Sequence, residues 1–143
     1  MEPQLRAGRQ TGDDRGEQVR RRFAFGRGSM SVQTIERKQL IKAVTGLGRV
    51  SAVDAREIRC APGQKTGRHM HPCAAVGYIV AGAAEYQIEG QPAELLPTGS
   101  AFHEPAGKLI ASFSNASKTA PMTFVASYLL DGEQDLIAML DND

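Results

Sequence analysis

Several features that would assign this chain to a large protein class are missing from it. It has only two cysteines, Cys60 and Cys73, and no tryptophan. Two cysteines do not make the disulfide framework of a small secreted domain. No apolar run approaches the roughly 18 residues of a transmembrane helix, and the first residues lack the apolar segment of a secretory signal. We therefore expect a cytoplasmic protein with reduced thiols that does not enter a membrane.

A strong charge bias is missing as well. The 143 residues carry a formal net charge of +1, and 23% of them are charged, as in an ordinary soluble globular protein. The sequence contains no phosphate-binding glycine loop, no G-x-S-x-G and no CxxC pair, so none of these chemistries is indicated. Nothing resembles a nucleic-acid-binding module. The length favours a single domain with a modest core.

Residues 1–30 differ in composition from the rest of the chain. They contain seven arginines against four acidic residues and show no hydrophobic periodicity. This composition predicts a disordered basic arm, whose cluster from Arg20 to Phe23 could contact an anionic surface. We expect a solvated tail, or sequence upstream of a start at Met30. Residues 31–143 are slightly acidic, with ten basic against twelve acidic residues, and are interpreted as the folded domain.

Beyond the arm, the pattern predicts a short helix followed by many short strands. The helix is expected over residues 31–44, because Leu40, Ile41 and Val44 form an apolar stripe that ends at Gly46. Strands are predicted over residues 50–60, 76–81, 83–89, 93–96, 100–104, 109–114 and 122–130. A final helical turn or two is expected over residues 133–140. Short strands at about 8–12-residue spacing, bounded by Gly, Pro or Asn, are typical of a β-sandwich or small barrel.

Two histidines stand two positions apart in the stretch GRHMHPCAA, residues 67–75. Side chains at i and i+2 of an extended strand point to the same side, so His69 and His71 are expected to project together. Imidazole is a ligand for Zn, Fe, Ni and Cu. A catalytic metal site usually has three protein ligands and an open position. Taken alone, the pair fits two hydrogen-bonded or surface histidines better than a metal site.

The residues around this pair resemble the two signature motifs of the cupin superfamily. In that family the first motif reads G-x5-H-x-H-x3,4-E-x6-G and the second reads G-x5-P-x-G-x2-H-x3-N. The matching positions are Gly63, His69, His71, Gly82, Gly99, Pro105 and Gly107, with Asn115 shortly after. The resemblance covers about residues 50–130. It implies an all-β fold, a cupin-type jelly-roll β-barrel, which is frequently a homodimer.

The resemblance also implies a divalent metal, held in the family by two histidines and a glutamate of the first motif and a histidine of the second. His69 and His71 match two of these ligands. The glutamate position falls on Ala75, and the second-motif histidine position falls on Ile110. A shifted register would bring His103 into that last position, but it requires an insertion, and we prefer Ile110. The motif is therefore degenerate.

Glu104 is the strongest candidate for a replacement ligand. A carboxylate just before the P-x-G resembles the pocket-facing acid of some small metal-dependent cupins. Because His103 and Glu104 are neighbours in a predicted strand, at most one of them faces inward. Glu104 is then a third ligand or an acid that orients a histidine. The alternative is a residue at the rim of the barrel, paired with Lys108 or Arg68.

Two main functions are compatible with these residues. The first is binding of a small, mostly apolar organic molecule in the barrel pocket, with the metal site degenerate or absent. The second is a metal-dependent enzyme of dioxygenase or isomerase type, in which His69, His71 and Glu104 hold Fe, Mn, Ni or Zn. Metal-free catalysis by a histidine base and a purely structural dimer stay open as well. The candidate pocket residues are His69, His71, Tyr78, Glu104 and Ile110, while Cys73 is expected to be a small buried residue.

Overall fold

The structure is a computed structural model that describes residues 34–140, so the predicted arm over residues 1–30 lies outside the described residues. From Lys38 onward the described residues belong to one compact unit. Its strands are β1 (Ala52–Cys60), β2 (His69–Met70), β3 (Ala74–Ala81), β4 (Ala83–Ile88), β5 (Glu94–Pro97), β6 (Ala101–Glu104), β7 (Leu109–Asn115), β8 (Met122–Leu130) and β9 (Ala138–Met139). Within residues 34–140, no helix is long and apolar enough to cross a membrane.

Two antiparallel sheets make up the fold. One has the strand order β1-β8-β3-β6 and the other has the order β5-β4-β7-β2-β9. Among the described residues no strand pairing joins the two sheets, so the barrel is not closed. The described residues are all-β, as the predicted fold class requires, and the arrangement is consistent with a cupin jelly roll.

Aromatic side chains from both sheets form the core between them. The ring of Phe113 on β7 lies 5.0 Å from that of Phe102 on β6 and 4.8 Å from that of Phe124 on β8, measured between centroids. The alternation predicted in β4 is confirmed, because Tyr86 is buried while Glu85 is exposed. Burial of apolar surface at about 25 cal/mol per Å² is the main force that holds the sheets together.

Glycines of the two motifs form the turns that connect these strands. Gly63, Gly82, Gly99 and Gly107 all have a positive φ, which residues with a side chain rarely adopt. These motif positions are therefore explained by turn geometry alone. They mark the fold whether or not the protein binds a metal.

Gly77 on β3 has a different role, because it allows a close approach between side chain and backbone. A Cβ atom at this position would overlap the ring of Phe102 and would lie 2.6 Å from the carbonyl oxygen of Val125. The ring of Phe102 therefore lies directly across the backbone of β3.

The predicted N-terminal helix is not found in the part of its range that the structure describes. Residues 34–44 have no regular secondary structure, and residues 31–33 lie outside the described range. Leu40 is 49% exposed and Val44 is 88% exposed. The apolar stripe thus has little surface to pack against, and an unsupported helix of this length is marginal in water.

The predicted C-terminal helical segment over residues 133–140 has no helix: residues 133–137 are irregular and the segment leads into β9. This strand pairs with β2, and the amide of Leu140 donates to the carbonyl oxygen of Arg68 at 3.0 Å. Backbone groups at the free edge of β2 require hydrogen-bond partners. That requirement overrides the local helical pattern, which is why the prediction was wrong.

Candidate metal centre

Three side chains with metal-ligand chemistry converge at one end of the sandwich interior. His69 begins β2, His71 follows that strand, and Glu104 ends β6 in the opposite sheet. The three residues are only 3%, 2% and 5% exposed. One ligand atom of each lies within 4.8 Å of the other two. The packing of the two sheets thus brings the carboxylate to the histidine pair.

Backbone carbonyl groups fix the orientation of both imidazole rings. Nδ1 of His69 lies 2.8 Å from the carbonyl oxygen of Gly67, and Nδ1 of His71 lies 2.6 Å from that of Leu136. A carbonyl oxygen only accepts, so each Nδ1 carries the proton and donates it. In a neutral ring this leaves the lone pair on Nε2, which is the form in which histidines bind metals.

The carboxylate of Glu104 faces both Nε2 atoms. Its Oε2 lies 2.6 Å from Nε2 of His71, and its Oε1 lies 3.8 Å from Nε2 of His69. Although the first distance is short, the buried Nε2 of His71 makes no hydrogen bond of acceptable geometry. With the proton of a neutral ring on Nδ1, both this nitrogen and the facing carboxylate oxygen can only accept, so the pair requires a proton or a cation between them.

Burial and charge act in opposite directions on this cluster. Burial alone would lower the pKa of His71, but the close, negatively charged Glu104 and the carbonyl of Leu136 together raise it above its ordinary value. Burial alone would raise the pKa of Glu104, yet the two nearby histidines hold it below its ordinary value. Glu104 is therefore a buried carboxylate that attracts either a proton on His71 or a cation.

The donor set fits a divalent transition metal. Such ions bind imidazole nitrogen and carboxylate oxygen at about 2.0–2.2 Å, which places neighbouring ligand atoms roughly 3–3.5 Å apart. The two observed distances, 2.6 and 3.8 Å, lie on either side of this range. An ion between the three groups would also give Nε2 of His71 the partner that it lacks. Two histidines and one carboxylate suit Fe, and the same donors accept Mn, Ni or Zn.

The two positions at which the motif lacks its ligands lie beside these three groups. Ala75 on β3 is the direct cross-strand partner of Glu104, and Ile110 on β7 is that of His69. Opposed residues of antiparallel strands share a face of the sheet. Glu104 thus stands next to the place that a glutamate at position 75 would occupy. The carboxylate of the candidate site therefore comes from β6 and not from β3.

Tyr78 lies on the outer face of its sheet. It is 42% exposed, whereas the neighbouring Ile79 is fully buried. The expectation that Tyr78 lines the pocket is corrected by this geometry. Because β3 is apolar on both faces, its sequence has no alternation from which the direction of Tyr78 could be read. His103 shares the outer face, where it pairs with Val76, so it does not replace Ile110.

Other neighbours of the site have no motif to mark them. The ring of Tyr128 lies 5.6 Å from that of His71, between centroids. Leu136 contributes a carbonyl oxygen, which no side-chain pattern could have indicated. Cys73 is buried in the hydrophobic core, and burial raises the pKa of its thiol. It behaves as a packed residue, as expected.

Comparison with known protein families matches residues 56–131, more than half of the chain, to the cupin domain. The chain belongs to the cupin superfamily. The resemblance in the two motifs is thereby confirmed. Among curated proteins, none matches this cupin.

Solved structures share the fold of this cupin at low sequence identity. DMSP lyase DddQ from Ruegeria pomeroyi DSS-3 superposes with a TM-score of 0.53 at 24% identity, over 61% of this chain and 42% of that chain. An oxalate oxidase in complex with the substrate analogue glycolate superposes with a TM-score of 0.53 at 23% identity, over 62% of this chain and 46% of that chain. An uncharacterised conserved protein with a double-stranded β-helix domain from Klebsiella pneumoniae subsp. pneumoniae MGH 78578 superposes with a TM-score of 0.52 at 18% identity. The match covers 72% of this chain and 92% of that chain. This cupin matches less than half of the lyase and oxidase chains, and the likeness establishes the fold alone.

Proposed function

We propose that this cupin binds one divalent transition metal through His69, His71 and Glu104 and uses it in a reaction of a small organic molecule. The observation that carries the proposal is the convergence of three buried ligand groups, one of which, Nε2 of His71, has no hydrogen-bond partner. Buried polar atoms are normally satisfied, and an ion at this point would satisfy the nitrogen. Three protein ligands leave positions open for water or substrate.

The residues of the chain prepare the site for such an ion. When bound, the metal would supply a Lewis acid that polarises a substrate oxygen. Gly67 and Leu136 hold the two rings so that both Nε2 atoms face the centre. Ile110 supplies no donor where the second motif of the family has a histidine, so the coordination position on that side is left for water or substrate. The superposed structures include an oxalate oxidase with bound glycolate, which supports a small organic molecule as the substrate.

A metal-free cupin that binds a small molecule is the second candidate. The pKa directions favour it, because a raised pKa at His71 and a lowered pKa at Glu104 allow a buried ion pair without any metal. In that case the pair would be the polar anchor of an otherwise apolar pocket.

Metal content separates the two candidates. Purified protein is analysed for metals as isolated, and again after loading with Fe(II), Mn(II), Ni(II) or Zn(II) and removal of free ion. We expect near-stoichiometric retention of at least one metal, lost in His71→Ala and Glu104→Ala. His103→Ala is the matched control, since it removes a histidine from the outer face. The metal proposal fails if the loaded wild type retains no more metal than His71→Ala.

Assembly and location remain predictions. The family implies a homodimer, which light scattering coupled to size-exclusion chromatography would detect. We infer a cytoplasmic protein that acts on a small molecule and binds neither nucleic acid nor membrane, and cell fractionation would test the location.

A further inference from the structure

A row of cross-strand partners connects the metal centre to edge strand β1. Asp54 lies opposite Tyr128, Tyr128 lies opposite Ala75, and Ala75 lies opposite Glu104. Residues opposed in this way share one face of the sheet. The four residues therefore form one line on the inner face, with Glu104 at one end and Asp54 at the other.

The β1 end of this line reaches solvent. Asp54 and Arg56 lie on the same face of β1 as Ile58 and Cys60, which pack in or against the core. The side chains of Asp54 and Arg56 are nevertheless 34% and 57% exposed. Among the described residues β1 is the edge strand of its sheet, so these two inward-facing charged groups remain accessible to water.

Asp54 occupies only one edge of the Arg56 guanidinium group. Nε of Arg56 donates to Oδ1 of Asp54 at 2.9 Å, and Nη2 donates to Oδ2 at 3.0 Å. Within residues 34–140 Nη1 has no partner, and Nη2 keeps a second proton. These two nitrogens form the fork that binds a carboxylate through parallel hydrogen bonds. Asp54 orients the fork, so less conformational freedom is lost when an anion binds.

Charge and distance favour a compact acid. A divalent ion with neutral His69 and His71 and one carboxylate from Glu104 has a net positive charge, and bound ions are commonly the largest local charges in a site. Glu104 lies on β6, three positions from β1 in the sheet, which corresponds to about 14 Å. The side chains of Arg56 and Glu104 each span part of that gap, so a compact acid would reach both ends.

We propose that Arg56 binds the carboxylate of a small organic acid whose other end reaches the metal at His69, His71 and Glu104. The inference rests on the proposed metal-dependent function and narrows its substrate class to compact organic acids. Arg56 thereby becomes the residue that selects for a negatively charged substrate.

Calorimetric titration of the metal-loaded protein tests this assignment. The probes are glycolate, malonate and succinate, with uncharged succinamide as the neutral counterpart. We expect at least one acid to bind and succinamide not to bind. In Arg56→Gln the affinity for that acid should fall about tenfold or more, as expected for the loss of charge-assisted hydrogen bonds. Arg56→Lys keeps the charge and loses the fork, so its affinity for the acid should lie between those of the wild type and Arg56→Gln.

Arg59→Gln is the matched control, because Arg59 is an exposed arginine on the opposite face of the same strand. It should bind the acid as the wild type does. Equal affinity in Arg56→Gln and Arg59→Gln, with metal content retained in both, would overturn the role of Arg56 and leave the proposed function intact. Failure of the loaded wild type to bind any of the three acids would overturn it too. Absence of metal from the wild type would instead refute the proposed function on which the inference rests.

Discussion

A single displaced residue, Glu104, explains how this cupin keeps a three-residue donor set although its motif lacks two ligands. Ala75 and Glu104 are direct partners in the β3–β6 ladder, and opposed side chains of such a pair lie about 5 Å apart at Cβ. A carboxylate can therefore move from one strand to the other and still reach the same two histidines. Sequence alignment alone would report this as the loss of a ligand.

Returning the carboxylate to β3 should restore metal binding. Glu104→Ala is expected to abolish metal retention, and the double variant Ala75→Glu with Glu104→Ala should recover an affinity within about tenfold of the wild type, since it keeps the charge and the donor type. Competition with a coloured chelator measures the affinity. A double variant that is folded but still free of metal would contradict the exchange of positions.

At the scale of secondary-structure elements, the strands were largely predictable, whereas the C-terminal helical segment was predicted wrongly. The strand predicted over residues 122–130 is found as Met122–Leu130, because alternation and β-branched residues are local signals. The segment over residues 133–140 is not helical, because its end forms β9 and pairs with β2, and no local pattern carries that information. The inward direction of Glu104 likewise depended on the pairing of β6 with β3. The turn glycines were enough to identify the family. The sheet topology was needed to show that Glu104 joins the two histidines.

The close approach of β3 and β6 at Gly77 should make this position intolerant of a side chain. Gly77→Ala forces the ring of Phe102 or the backbone of β8 to move, and overpacking of this kind costs about 1–3 kcal/mol of unfolding free energy. Gly48→Ala is the control, because a Cβ there meets no atom within 4 Å. Urea denaturation measures both variants. Similar midpoints for the two would contradict the packing argument.

The amide of Asn115 joins two turns at the end of β7. Its Nδ2 donates to the carbonyl oxygens of Ala61 and Ala120 at 3.1 and 2.8 Å, and its Oδ1 accepts from the amide of Ser117 at 2.9 Å. Asn115→Ala leaves these buried or half-buried groups without partners and should lower the free energy of unfolding by about 2–3 kcal/mol. Gln91→Ala, at an exposed turn, should change it little. Chemical denaturation of both variants gives the comparison.

For the molecule as a whole, metal binding and folding should be linked. Both histidines and Glu104 come together only in the folded chain, so an ion stabilises the folded state by about 2.7 kcal/mol when its free concentration is 100 times the dissociation constant. We expect the melting temperature of the wild type to rise with added metal and that of His71→Ala to stay constant. A rise of the same size in both would place the metal elsewhere on the protein.

The carbonyl of Leu136 is the last group of the candidate site to be synthesised. Leu136 lies 65 residues after His71, whose ring it orients. Because ribosomes add about 5–20 residues per second, Leu136 is added to the chain roughly 3–13 s after His71. A nascent chain halted before residue 136 would carry all three side-chain ligands and lack the carbonyl that holds the second histidine in place. Binding of the proposed metal is therefore expected only after Leu136 has been synthesised and β9 has paired with β2.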